Sequence, residues 1–156
     1  MNQKVIILRG LSGSGKTTWS NQFVKEHHDF MRVSRDDIDF MLSMDNYPKR
    51  KEKIVFRTRD FLVGQILGYG FNLVLDETYL SPHRVKDINS LLESYVRLTG
   101  KHLDVRIQDF IHVPMKQCIE RDKNRFFHVG EAFIRSYYKK YIIPLLKNPG
   151  RTEWTI

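Results

Sequence analysis

Residues 5–8 are Val-Ile-Ile-Leu, and they run almost directly into Gly10, Leu11, Ser12, Gly13, Ser14, Gly15, Lys16 and Thr17. A β-branched run of this kind predicts a buried strand over residues 4–9, and the glycine-rich segment after it predicts a loop. From Thr17 onward, Trp19, Phe23 and Val24 recur at three- and four-residue spacing, which predicts a helix ending near His27, His28 and Asp29. Strand, tight loop and helix in that order commit the chain to an α/β unit.

Gly10, Gly15, Lys16 and Thr17 satisfy the pattern G-x-x-x-x-G-K-[ST], in the context that gives the pattern its meaning. Glycines let the backbone N–H groups turn inward around an anion, and the helix N-terminus adds a partial positive charge. The pattern therefore predicts a phosphate-binding P-loop for ATP, formed by Gly10, Ser12, Gly13, Ser14, Gly15, Lys16, Thr17 and Thr18. Lys16 is expected on the β and γ phosphates and the Thr17 hydroxyl on Mg²⁺.

The rest of the chain continues the alternation. A strand is expected over 31–34, then a helix over 36–44 with Ile38, Met41 and Leu42 inward, broken by Tyr47 and Pro48. A helix over 49–67 carries Ile54, Phe61, Leu62 and Ile66 as its apolar stripe; a short strand over 71–75 follows and ends in Asp76 and Glu77. Ser81 before Pro82 marks a helix start, with Gly100 as its stop. A strand over 104–111, a helix from 113 to 121 and a final helix over 130–143, stopped by Pro144, complete the reading. The expected architecture is a three-layer P-loop NTPase fold, one domain over 1–156, with a central parallel sheet of four or five strands and a helical lid near 121–130.

Charged residues at the ends of these elements are the candidates for chemistry. Arg35, Asp36 and Asp37 follow the second strand, on the side of a parallel sheet where ligands bind. Asp36 there can accept a proton from an attacking hydroxyl; the competing reading is that Asp36, Asp37 and Asp39 cap the next helix. Asp76 ends a buried strand, placing it either near Mg²⁺ through water or in a simple turn. Arg121 and Arg125 lie in a charged stretch between helices that reads either as a lid bringing arginines to a transferring phosphoryl group or as solvated surface. The six histidines have no metal-site spacing.

The net charge of +8 favours an anionic partner such as DNA or RNA. A single cysteine, Cys118, excludes an internal disulfide, and no run is long enough for a signal or membrane segment, so a cytoplasmic protein is expected.

Five stretches together resemble the kinase domain of phage-type polynucleotide 5′-kinases, within the small P-loop kinases that also include nucleotide and sugar kinases. They are residues 13–19, the Arg35-Asp36-Asp37 step, residues 76–84, residues 121–125 and residues 134–139, so the likeness runs through nearly the whole chain. The resemblance implies Asp36 as general base, Arg35, Asp36 and Asp76 at the acceptor, and Arg121 and Arg125 as lid arginines. It implies transfer of the γ-phosphoryl group of ATP to a nucleic-acid hydroxyl, most simply a 5′-OH end. A hydroxymethyl group on a modified base, such as 5-hydroxymethyluracil in phage DNA, and a small-molecule hydroxyl are the alternative acceptors; a non-catalytic nucleotide switch is a further alternative. Where the phage enzymes carry an arginine for the acceptor's phosphate, three residues after the base, this chain has Asp39. No phosphatase or ligase segment follows, so a bifunctional end-healing enzyme is not expected.

Overall fold

A computed structural model describes residues 2–42 and 49–148. Four strands, β1 (Gln3–Arg9), β2 (Phe30–Ser34), β3 (Asn72–Asp76) and β4 (Leu103–Asp109), form one parallel sheet in the order β2-β3-β1-β4. In register, Val5 lies beside Leu73 on one side and Val105 on the other, which makes β1 an interior strand. The chain moves from β1 outward to β2 and β3, then crosses to β4 on the opposite side. Strand order therefore reverses at β1, and the loop after β1 opens into the crevice that such a reversal leaves.

Alternation along the strands builds the two faces. Val5, Ile7, Leu73 and Leu75 pack with Val63, Leu67, Ile88 and Leu92 from α3 (Lys49–Gly68) and α4 (Pro82–Thr99). Leu8 and Val74 point the other way, where Trp19, Phe23 and Val24 of α1 (Lys16–Glu26) cover them. A third cluster, including Leu11, Cys118, Ile119, Ile134 and Ile142, ties the phosphate-loop segment to α5 (Met115–Lys123), α6 (Glu131–Tyr137) and the turn after α6. Helix α4 starts and stops as the sequence predicts. The Ser81 hydroxyl accepts the Arg84 N–H at 3.4 Å, Pro82 occupies the first turn, and Gly100 takes φ 68°.

The apolar faces of two helices differ from expectation. Helix α2 (Arg35–Leu42) buries Ile38, whereas Met41 and Leu42 are exposed. It follows β2 without a connecting loop, so it leaves the sheet edge and only its first turn lies over the core. In α3, Ile66 is buried and Leu62 packs against the core as expected, but Ile54 and Phe61 are exposed, and Val55, Arg59, Val63 and Leu67 complete the inward face. Arg59 is 1% exposed and pairs with Asp60 at 2.6 Å, Asp87 at 2.8 Å and Glu77 at 3.5 Å. Phe56 lies beneath its guanidinium at 5.0 Å. Removing the cation strands buried carboxylate, so Arg59→Met is expected to destabilise the fold by about 3 kcal/mol in urea unfolding.

Pro144 also acts differently from the stop expected of it. After α6, residues Tyr138–Ile142 form a π-helical turn in which the Ile143 N–H reaches Tyr138 O, and Pro144 sits in the first turn of α7 (Ile143–Lys147). Proline lacks the N–H that would continue the α ladder; the wider turn accommodates that loss without ending the helix. The expected break at Tyr47 and Pro48, and the end of the 36–44 helix, lie outside the described residues.

Candidate active site

Loop geometry fixes the first part of the site. Gly13 has φ 79°, and a Cβ on it would lie 2.3 Å from the Cys118 carbonyl oxygen of α5. Only glycine lets the loop pass that backbone. Gly13→Ala is expected to lower the melting temperature by about 2–8 °C through left-handed strain alone, with the contact adding to it. Gly15 precedes α1 with φ 99°, also left-handed.

A cleft of about 700 Å³ opens above the carboxyl ends of β1, β2 and β3. Ser12, Gly13, Gly15, Lys16, Thr17 and Thr18 line it from the loop, and Arg35, Asp36, Asp76, Arg121 and Arg125 from elsewhere. Two predicted loop residues stand behind this lining. The Gly10 N–H donates to Thr78 O at 3.1 Å, and Ser14 is buried, its N–H donating to Leu11 O at 3.2 Å. Their place is in holding the loop's shape.

Lys16 is buried, and its ammonium donates to Gly10 O at 3.0 Å and Leu11 O at 2.7 Å. Burial lowers its pKa to about 8, while the negative charges of Asp76 and Asp36 pull the other way. Asp76 is buried, with Oδ2 accepting from Ser20 Oγ at 3.0 Å and from Arg32 Nη2 at 2.7 Å. Arg32 also pairs with Asp37. The cap of α2 is therefore not an aspartate: Ser34 Oγ accepts the Asp37 N–H at 3.3 Å, leaving Asp37 to Arg32 and Asp36 in the cleft. The Asp36 side chain is 67% exposed and meets Arg35 at 3.1 Å. Asp39 is absent from the cleft lining; among the described residues its buried Oδ1 has no hydrogen-bond partner, and burial raises its pKa against the pull of Arg35.

The stretch expected as a lid divides in two. Arg121, Asp122 and Lys123 belong to α5, and the loop proper is residues 124–130. Asp122, 1% exposed, anchors that loop by accepting the Gly130 N–H at 2.9 Å and the Val129 N–H at 3.2 Å. Arg125 reaches from it to the phosphate loop, donating to Ser12 Oγ at 2.9 Å, and Arg121 donates to Gly13 O at 3.5 Å. Reading the sequence missed Asp122 because its burial depends on contacts from a loop yet to be placed.

It also missed Glu77, Ser81 and Arg84, which line the side of the cleft formed by β3 and α4. The Arg84 guanidinium lies 3.9 Å from the centroid of Phe56, with Arg35 5.8 Å from the same ring. The cleft thus has two separate groups of cations: Lys16, Arg121 and Arg125 at the loop, and Arg35 with Arg84 around Phe56. A usable signal was present, since Arg84 sits in the first turn of a clearly marked helix that begins soon after Asp76.

A family model described as an AAA domain matches residues 5–137. The chain belongs to the AAA domain family. Chains of known structure similar to it include one of the Pnkp1/Rnl/Hen1 complex, 25% identical, with TM-score 0.67, covering 77% of this chain and 39% of that one. A chain of the Pnkp1/Rnl/Hen1 RNA repair complex superposes over 99% of this chain and 47% of its own length, at 21% identity and TM-score 0.78. A fungal RNA kinase is 14% identical with TM-score 0.62, covering 90% of this chain and 65% of that one. This AAA domain spans less than half the length of the first two chains. Its fold is that of a P-loop kinase, as the resemblance in the sequence implies.

Proposed function

We propose that the chain is an ATP-dependent kinase that transfers the γ-phosphoryl group to a hydroxyl of nucleic acid, most simply the 5′-OH end of a polynucleotide. The observation that carries this reading is the pair of cationic groups in one cleft with the Asp36 carboxylate also facing it. A triphosphate accounts for the cations at the loop; Arg35 and Arg84, which pair with Asp36 at 3.1 Å and Glu52 at 3.0 Å, add positive charge that suits the phosphate a nucleic-acid acceptor carries next to its reacting end. Asp36 accepts the proton of the attacking hydroxyl, and Lys16, Arg121 and Arg125 neutralise charge on the phosphates. Likeness to a fungal RNA kinase and to chains of an RNA repair complex is consistent with such an acceptor.

The residues present suit Mg²⁺. Thr17 offers a hydroxyl and Asp76 a carboxylate in the same cleft, both hard oxygen donors. Among the described residues no cluster of three or more His, Cys, Asp or Glu could hold a metal ion, so a cation here would rely on nucleotide phosphates and water for its remaining ligands. When bound it would neutralise charge on the phosphates; Thr17 would hold it directly and Asp76 through water.

The state of Lys16 gives the nucleotide step a pH signature. Its pKa near 8 belongs to the free protein, and a bound triphosphate raises it. Above that pH, binding takes up a proton, so nucleotide affinity falls as pH rises, by up to about tenfold per unit. Calorimetry in buffers of different ionisation enthalpy is expected to read proton uptake at pH 9 and almost none at pH 7.

A second acceptor has a specific point in its favour. A volume of about 700 Å³ can take a whole base turned out of a duplex, so a hydroxymethylated pyrimidine base could also bring its hydroxyl to Asp36. The test is a panel under γ-labelled ATP and Mg²⁺: 5′-hydroxyl oligonucleotides, 5′-phosphorylated DNA containing hydroxymethyluracil, and free nucleosides, nucleotides and sugars. Preference for 5′-hydroxyl oligonucleotides, with a steep loss of rate as salt rises, supports the first reading. Labelling of the 5′-phosphorylated modified DNA supports the second, and labelling of small molecules alone refutes both.

A further inference from the structure

We propose that exposed phenylalanines joining α2 to the lid loop form a stacking platform for the first bases of a single-stranded acceptor, an inference that rests on the nucleic-acid reading above. Phe40, Phe127 and Phe126 are 49%, 48% and 85% exposed, although they touch one another. Phe40 and Phe127 meet edge to face with centroids 5.2 Å apart, and Phe126 and Phe127 do so at 4.8 Å. Single exposed apolar side chains are ordinary, but three joined rings held at the surface mark a contact site.

Position and charge select the occupant. Phe40 lies one helical turn beyond Asp36 on α2, so the two share an edge of that helix. Phe126 and Phe127 directly follow Arg125, whose guanidinium bonds the phosphate loop. The cluster therefore bridges the helix that carries Asp36 and the loop that carries Arg125. Arg35 and Arg125 line the adjoining cleft, which suits a strand whose phosphates run along basic side chains while its bases lie on aromatic rings. Each edge-to-face contact covers one face of one ring, yet the three rings stay 48–85% exposed, and every base has a face to offer, so the platform is expected to be tolerant of sequence. An apolar protein partner would gain nothing from the flanking guanidinium groups.

The test measures binding of a 5′-hydroxyl single-stranded DNA oligonucleotide by fluorescence anisotropy, using wild type and the variants Phe40→Leu, Phe127→Leu, Phe40→Trp and Phe127→Trp. A matched oligonucleotide lacks the bases of its first two nucleotides. Each leucine variant is expected to bind the intact strand about 5- to 150-fold more weakly, the range for loss of one base–aromatic stack, while tryptophan restores binding. Wild type is expected to lose affinity for the abasic strand, and the leucine variants to lose less on the same change, because the stack is already gone. Unaltered ATP affinity in each variant shows that the fold is intact. Equal binding of intact and abasic strands by wild type, or leucine variants that bind the intact strand as wild type does, would overturn the proposal. So would a concentration-dependent dimer that the leucine substitutions dissolve, since that assigns the surface to a second copy. If wild type phosphorylates only small molecules, the nucleic-acid reading fails first and takes the platform with it; phosphorylation of oligonucleotides that is indifferent to these rings sinks the platform alone.

Discussion

Asp36→Asn is expected to lower kcat by about 10²–10⁴ while leaving ATP affinity within about twofold. Asparagine keeps the size and polarity of the side chain and removes only its ability to take a proton. Asp36 is well placed for that role. It lines the cleft, its cap function has passed to Ser34, and its side chain is 67% exposed beside Arg35. A carboxylate needed only for structure would respond differently: the variant would melt earlier and turn over normally. Steady-state rates at saturating ATP and acceptor, with a melting curve for each protein, separate the two. The same variant also tests the non-catalytic alternative, because a nucleotide-dependent switch would lose nothing on this change.

Arg125→Ala is expected to reduce kcat by about 10³ or more, with a smaller change in KM for ATP. Charge accumulates on the transferring phosphoryl oxygens mainly in the transition state, so a guanidinium aimed there contributes more to rate than to binding. Arg125 already spans the gap from the lid loop to Ser12 at 2.9 Å, and buried Asp122 holds the far end of that loop through the Val129 and Gly130 N–H groups. Arg125→Lys should recover little, because a point charge on a flexible stem does not reproduce a planar fork. Pre-steady-state quench-flow would place the loss in the chemical step. An equal loss in ATP affinity and none in that step would make Arg125 a ground-state contact only.

The parts of this molecule that were legible in the sequence are those whose chemistry is local. The Val5–Leu8 run, the glycine loop and Lys16 define strand, turn and helix by spacing alone, and Ser81, Pro82 and Gly100 mark both ends of α4 within a few residues. Four strands separated by helices then leave few topologies other than a parallel sheet. What stayed hidden depends on partners far along the chain. The stripe expected for α3 includes Ile54 and Phe61, which are exposed; in the fold Arg59 lies on the inward row, where Glu77 and Asp87, 18 and 28 residues on, neutralise it. Asp122 looked like one charge among several and proved to be the buried anchor of the lid loop. Arg84 gains its meaning from Phe56, 28 residues earlier, beneath its guanidinium.

Asp39 stands where the resembling enzymes hold an acceptor phosphate with arginine, and its place off the cleft lining means that this position supplies no cation. Arg35, one turn before Asp39 on α2, and Arg84 of α4 carry positive charge on that side of the cleft.

The most direct measurement is to react the protein with γ-labelled ATP, Mg²⁺ and a 5′-hydroxyl oligonucleotide of defined sequence, then digest the product to 5′-mononucleotides and identify the labelled one. The account predicts label solely in the nucleotide that began the strand, with none in reactions containing the Asp36→Asn protein at matched times. Label in an internal nucleotide, or oligonucleotide left unlabelled while free nucleosides or sugars are phosphorylated, would contradict it.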